Sequence, residues 1–191
     1  MFAGKRLSKE LLKVPTSPSI PHTPILSTAL QDKLRPSQRS VMSLPSTMKE
    51  HLPPGISIAK SENLEEWQMD IRVLDENPLY QNQVYRLKFT FSSKYPIEPP
   101  EVQFIELPST SETPRPIPIH PHIYSNGIIC LDLLSSAGWS PVQTVESVCM
   151  SIQSMLTANT RDERPPGDSD FVSYNRRRPR DINFFYDDDN V

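Results

Sequence analysis

The amino-acid sequence predicts an α+β domain in which a four-stranded antiparallel sheet precedes a long helix. Three observations lead there. Apolar residues alternate with polar ones at Trp67, Met69, Ile71 and Val73, and again at Tyr85, Leu87, Phe89 and Phe91. A period of two turns one face of each run toward a core. The runs are joined by hairpin-scale connections, which suit antiparallel neighbours. Finally, Val145, Val148, Cys149, Ile152 and Leu156 form one helical stripe behind Thr144, a favourable N-cap residue.

In chain order, residues 1–14 are expected to supply an N-terminal helix. Leu7 and Leu11 stand four apart with Leu12 alongside, Lys5, Arg6 and Lys9 lie opposite, and Pro15 ends the pattern. From 15 to 47, Pro, Ser, Thr and isolated apolar residues show no period. Such a segment cannot offset its ordering entropy and is expected as a disordered insertion. A turn at Pro53-Pro54-Gly55 leads into a first strand at Ile56 and Ile58, and the Trp67 run is the second. After the Asn77-Pro78 turn comes the Tyr85 run, with Val102 and Phe104 as a fourth, shorter strand. Tyr95-Pro96-Ile97-Glu98-Pro99-Pro100 between them is expected as a rigid loop, since its prolines lack the N–H a ladder needs. A second proline-rich connection covers 106–119. The folded core is expected over 48–175. A basic run, the aromatic Phe184-Phe185-Tyr186 and three aspartates make 176–191 a C-terminal tail.

A chain of 191 residues suits one domain with appendages, and 21 prolines against 5 glycines mark where the appendages lie. The formal charge of −3 gives no overall pull toward nucleic acid or an anionic membrane, and no long apolar run suggests a span, so neither partner is expected. Two cysteines cannot build a disulfide framework, which points to a reducing compartment, cytosol or nucleus.

The chemistry concentrates in residues 120–134, HPHIYSNGIICLDLL. Cys130 follows a His-Pro-His turn and a Ser-Asn-Gly turn, a polar and exposed setting for a thiol. It is the candidate nucleophile, because a thiolate attacks well and its acyl thioester stays reactive toward amines. Cys149 sits on the helix's apolar stripe and is expected in the core. A cysteine–histidine hydrolase would need a third, orienting group that the sequence does not identify. A zinc site would need Cys149 or the distant His22 and His51, so no metal is expected.

These motifs, in this order and spacing, resemble the ubiquitin-conjugating enzymes: the Trp67 strand, the YPxxPP loop, His120-Pro121, Ser125-Asn126-Gly127, Cys130-Leu131-Asp132 and Trp139-Ser140-Pro141. The resemblance implies a four-stranded antiparallel meander flanked by an N-terminal helix and a long helix after the cysteine. It implies that Cys130 accepts ubiquitin as a glycyl thioester from the activating enzyme and passes it to an amine, usually with a ligase of RING or U-box type. ATP would be used by the upstream activating enzyme, with no cofactor bound here. His120, Pro121 and Asn126 would shape the active-site loop. Lys5, Arg6, Lys9, Phe91, Ser140, Pro141 and Val142 would meet the ligase and activating enzyme, with Phe91 as an exposed anchor.

One position departs from the pattern. His122 stands where the family usually has Asn, and its imidazole could support the oxyanion or brace the loop. His-Pro-His is most similar to the W-type branch, which is associated with transfer to the α-amino groups of flexible substrate N-termini. Asp168 and Asp170 are the nearest candidates for the acidic residue that usually follows the long helix. A non-catalytic ubiquitin-pathway subunit, one alternative, would typically lack a thiol at 130; a carrier of another ubiquitin-like modifier is a second.

Overall fold

The computed structural model describes Arg6, Leu7, Glu10, residues 52–182 and Phe184. Lys5, Lys9, Leu11, Leu12 and the 15–47 stretch lie outside the described residues.

The four expected strands are present as β1 (Ile56–Lys60), β2 (Glu66–Ile71), β3 (Tyr85–Thr90) and β4 (Glu101–Ile105). They pair antiparallel in sequence order, a simple meander. Register explains the core. Trp67 faces Phe89, which faces Val102; Met69 faces Leu87, which faces Phe104; Ile71 faces Tyr85. Every residue in these rows is buried, so cross-strand pairs stack their apolar surface on one face. Asn82, in the turn between β2 and β3, takes φ 61°, a left-handed conformation that Asn tolerates better than most residues.

The other face is polar. Asp70 on β2 accepts hydrogen bonds from Arg86 on β3 and from Arg115 in the loop after β4, the latter at 2.9 Å. Gln68 takes a third contact from Arg86 at 3.1 Å. One carboxylate thus ties two strands to the 106–119 connection, whose ends are themselves bridged at Leu107 and Arg115.

Helix α1 (Val145–Ala158) covers the apolar face with the expected stripe, Val145, Val148, Cys149, Ile152 and Leu156. Its N-terminus is closed by a capping box, Thr144 accepting from the Ser147 N–H and Ser147 accepting from the Thr144 N–H. Asn77, from the β2–β3 connection, donates to the carbonyls of Thr157 (3.2 Å) and Asn159 (2.8 Å) and so closes the other end. Gln153 donates to Arg72 O and Pro54 O, which locks the helix over the start of the meander.

Arg6, Leu7 and Glu10 are helical, and Leu7 is fully buried in the same core. Glu10 accepts from Arg6 (2.9 Å), from the Tyr95 hydroxyl (2.8 Å) and from the Val145 N–H (3.2 Å). A carboxylate beside the first N–H of a helix also meets the positive end of its dipole. No helix among the described residues is long and apolar enough to cross a membrane.

The packed chain runs past residue 175, where the sequence reading placed the start of a tail. Helix α2 (Asp168–Tyr174) is followed by a 3-10 turn, Pro179–Asp181, that sits against β4. Arg180 pairs with Glu101 at 3.0 Å and Ile182 is buried. Clustered like charge alone favours a solvated segment. Two carboxylates on the neighbouring loop and strand, Glu98 and Glu101, pair with Arg178 and Arg180, while Arg176 and Arg177 stay exposed.

Burial opposes ionisation of Asp70, but the hydrogen bonds and charges of Arg86 and Arg115 outweigh it and hold its pKa below the usual value. Asp70→Asn should therefore lower stability by about 1–3 kcal/mol at neutral pH, read from urea unfolding. A depressed folded pKa gives stability that is present above the ordinary Asp range of about 3.9 and lost below it. The two proteins should accordingly converge as pH falls through the folded Asp70 pKa, and a gap that persists in acid would contradict this.

Candidate active site

Residues 122–130 fold back on themselves as a small hairpin. Tyr124 N–H donates to Ile128 O (2.9 Å), Cys130 N–H donates to His122 O (2.8 Å), and Ile123 bridges Ile129. This register explains why a histidine eight residues earlier in the chain is the thiol's neighbour. Directly opposed residues place their Cβ atoms about 5 Å apart on the same face. Ile123 and Ile129 are buried on the inner face, while exposed His122 and half-buried Cys130 share the outer one.

The tip of the hairpin is Ser125-Asn126-Gly127. Asn126 accepts the Ile128 N–H through its side chain (3.1 Å), and Gly127 takes φ +87°. Glycine is required twice over there. Its conformation is left-handed, and a Cβ would stand 2.0 Å from the Phe104 carbonyl oxygen. Gly127 O in turn accepts the Phe104 N–H at 2.8 Å, so the hairpin is welded to β4.

His120 is 4% exposed and its Nδ1 accepts the His122 N–H at 2.9 Å. That contact requires the proton on Nε2. Burial pushes the imidazole pKa down to about 4, helped by neighbouring His122 and opposed by a backbone hydrogen bond with Met155. His120 is thus a neutral bracket for the loop, with half-buried Pro121 completing the turn.

The two cysteines are both thiols with different fates. Cys149 is 0% exposed, and burial pushes its thiol pKa upward, which disfavours the nucleophilic thiolate. Cys130 stands on the accessible face beside Tyr124. The Tyr124 hydroxyl pKa is raised by burial and then by the nearby Cys130 and Asp168. Tyr124 stacks on Phe171 of α2 with ring centroids 3.9 Å apart, and Phe184 lies 6.0 Å away. Part of the aromatic cluster at the end of the chain therefore reaches the rim of the thiol loop.

The two candidate acids separate. Asp168 accepts the Ser125 N–H at 2.7 Å and so touches the hairpin tip. Asp170 is exposed on the first turn of α2. No group of three His, Cys, Asp or Glu side chains among the described residues could hold a metal ion.

The expected docking residues gather only in part. Arg6 reaches Val142 O and Gln143 O at 3.4 and 3.5 Å, and Trp139 donates its indole N–H to Pro96 O at 2.8 Å. The first helix, the YPxxPP loop and Ser140-Pro141-Val142 thus meet at one end of the domain. Phe91 is a correction. It is only 7% exposed, edge-on to Trp67 (5.4 Å) and Tyr95 (5.0 Å). It keeps the inward parity of β3 one step beyond the strand, which removes it from the surface. The exposed apolar residues here are Ile97 (70%) and Val142 (78%). Ile97 was legible as the lone aliphatic side chain between the prolines of its loop.

Comparison with known proteins agrees with this geometry. Residues 38–182 match the family model described as ubiquitin-conjugating enzyme. The chain is 43% identical over 145 residues to a Dictyostelium discoideum protein named probable ubiquitin-conjugating enzyme E2 W, covering 75% of this chain and 90% of that one. It is 37% identical over 156 residues to Caenorhabditis elegans ubiquitin-conjugating enzyme E2 W, covering 80% and 96%. Among solved structures, ubiquitin-conjugating enzyme E2 UbcA1 from Agrocybe aegerita superposes with a TM-score of 0.62 at 37% identity, over 69% of this chain and 88% of that one.

The depressed His120 pKa has a consequence for stability. The unfolded histidine takes a proton near pH 6.5 and the folded one near 4, so stability is full above 6.5 and declines as pH falls between the two. An NMR titration should find the His120 ring neutral and protonated on Nε2 well below pH 6.5. A midpoint at the ordinary histidine value would contradict the assignment.

Proposed function

The chain belongs to the ubiquitin-conjugating enzyme family, and on that premise we propose that Cys130 carries ubiquitin as a thioester and delivers it to α-amino groups. The observation that carries the assignment is the contrast between the two thiols, one on the outer face of a hairpin and one sealed in the core. Ubiquitin, the activating enzyme and a ligase are the partners typical of the family. Such a thiol needs a reducing environment, which the cytosol or nucleus provides.

The chemistry balances as two acyl transfers. The Cys130 thiolate attacks the C-terminal glycyl carbonyl of ubiquitin held as a thioester on the activating enzyme, and that enzyme's thiolate leaves. A neutral amine then attacks the same carbonyl, an oxyanion forms and collapses, the carbon–sulfur bond breaks, and Cys130 departs as thiolate. The amine's surplus proton goes to solvent or a nearby base. His122, directly opposite the thiol, is the side chain suited to donate a hydrogen bond to the oxyanion. Ile97 and Val142 form the apolar docking surface for a RING or U-box ligase, with Arg6, Ser140 and Pro141 around them.

The acceptor preference rests on proton affinity. An α-amine has a pKa of about 7.7–8.0 against about 10.4 for lysine, so near neutrality roughly a tenth is already in the attacking form. The carboxylate nearest the hairpin, Asp168, receives the Ser125 N–H. That role suits it to holding the loop rather than to stripping a proton from lysine. His-Pro-His in place of His-Pro-Asn supports the same reading. A flexible N-terminus would reach the outer face with little ordering to overcome.

Incubation with activating enzyme, ATP and ubiquitin, followed by a non-reducing gel, should show a thiol-sensitive adduct. Cys130→Ala should abolish it and Cys149→Ala should keep it; absence of any adduct on the native chain would overturn the reading.

For the acceptor, the loaded enzyme should discharge to a flexible peptide with a free α-amine at least about tenfold faster than to an N-acetylated peptide whose one amine is a lysine side chain near neutral pH, where the neutral fractions differ by more than about a hundredfold. Equal rates would remove the α-amine preference while leaving the thioester chemistry intact.

A further inference from the structure

The hairpin that carries His122 and Cys130 leaves part of its backbone unpaired by its own strands. Ile123 and Ile129 are a bridged pair whose flanking residues exchange the hydrogen bonds, so the N–H and C=O of Ile123 point outward. The N–H goes to His120 O at 3.0 Å. The C=O accepts from Arg164, on the connection between α1 and α2, at 3.1 Å. The same guanidinium donates to Pro118 O (2.6 Å) and Ile117 O (3.2 Å). Three carbonyls on both chain sides of His122 are therefore held by one planar fork.

The same stretch of chain holds the hairpin tip. Asp168 accepts the Ser125 N–H and lies close enough to Arg164 to act on its charge. Entry strand and tip are thus both referred to residues 164–168. Guanidinium geometry is what makes this possible. Five N–H donors fixed in a plane can serve several carbonyls at once, whereas an ammonium is a compact point charge on a flexible stem.

We propose that Arg164 is a positioning residue for ubiquitin transfer, fixing the carbonyls of Ile117, Pro118 and Ile123 so that His122 stays in register with Cys130. The inference rests on Cys130 being the ubiquitin carrier. It separates the two half-reactions. Both steps raise an oxyanion, but in loading the carbonyl is still held by the activating enzyme, whereas in discharge it sits on Cys130 with His122 opposite.

The test is single-turnover kinetics on the native chain, Arg164→Lys, Arg164→Ala and Arg161→Ala, with thermal unfolding measured in parallel. Arg164→Lys should load at the native rate yet discharge to a peptide α-amine about 10- to 100-fold more slowly. That range lies below the 10²–10³ lost when an oxyanion donor is removed outright. The loss should appear in the maximal rate, with the half-saturating peptide concentration unchanged. Guanidinium ion at sub-denaturing concentration should partly restore discharge by Arg164→Ala, and exposed Arg161→Ala should behave as native.

Native discharge by Arg164→Lys would overturn the proposal. So would equal losses of loading and discharge that follow the melting temperature, since Arg164 would then only hold the fold. A native chain that fails to load ubiquitin would remove the premise, and the proposal with it, before any variant is compared.

Discussion

Backbone groups that leave a sheet must still find partners, and the loop between β4 and the thiol meets that demand with side chains taken from elsewhere. Arg164 serves Ile117, Pro118 and Ile123; the Tyr80 hydroxyl donates to Ile119 O; His120 receives the His122 N–H. Buried Asn159, at the end of α1, donates to the Tyr80 oxygen and continues this set into the helix. The loop is irregular by secondary structure and specified by polar pairing. A buried polar network that is fully paired is rigid, and here that rigidity is delivered beside the reactive sulfur.

The sheet matters to the site through the contact of β4 with the hairpin tip, where Gln103 also bridges Ile128. Gly127 lies against the backbone of Phe104, and Phe104 is one of the two inward residues of the last strand. The meander therefore determines where the hairpin tip can sit, and the polar pairings determine how it is oriented. On the far side Glu10 does comparable work, joining the first helix, Tyr95 and the start of α1 through one carboxylate. The docking end and the thiol end thus share a core but are held by separate polar groups.

Much of this was legible in the sequence because alternation and helical stripes report burial directly. All four strands and the Cys149 stripe follow from period alone, and the Ser-Asn-Gly turn from its residue types. Phe91 was misread because pattern ends and loop beginnings look alike. Its parity with Phe89 was the better guide than its nearness to prolines. Arg164 could not be recognised as a bracket, since its partners are backbone carbonyls, which carry no side-chain signature. Arg180 was hidden likewise, because neutralising carboxylates at 98 and 101 are far away in the chain. What sequence reads poorly here is long-range polar pairing.

The hairpin makes counting as important as chemistry. The side chains that face outward at His122 and Cys130 do so because three residues, Ser125, Asn126 and Gly127, separate Tyr124 from Ile128. Adding or removing one residue in that span would exchange the two faces of one arm, turning a buried isoleucine outward and the sulfur or the imidazole inward. The identity of the tip residues has some latitude outside Gly127; their number has none. The turn acts as a spacer whose length sets the phase between nucleophile and helper.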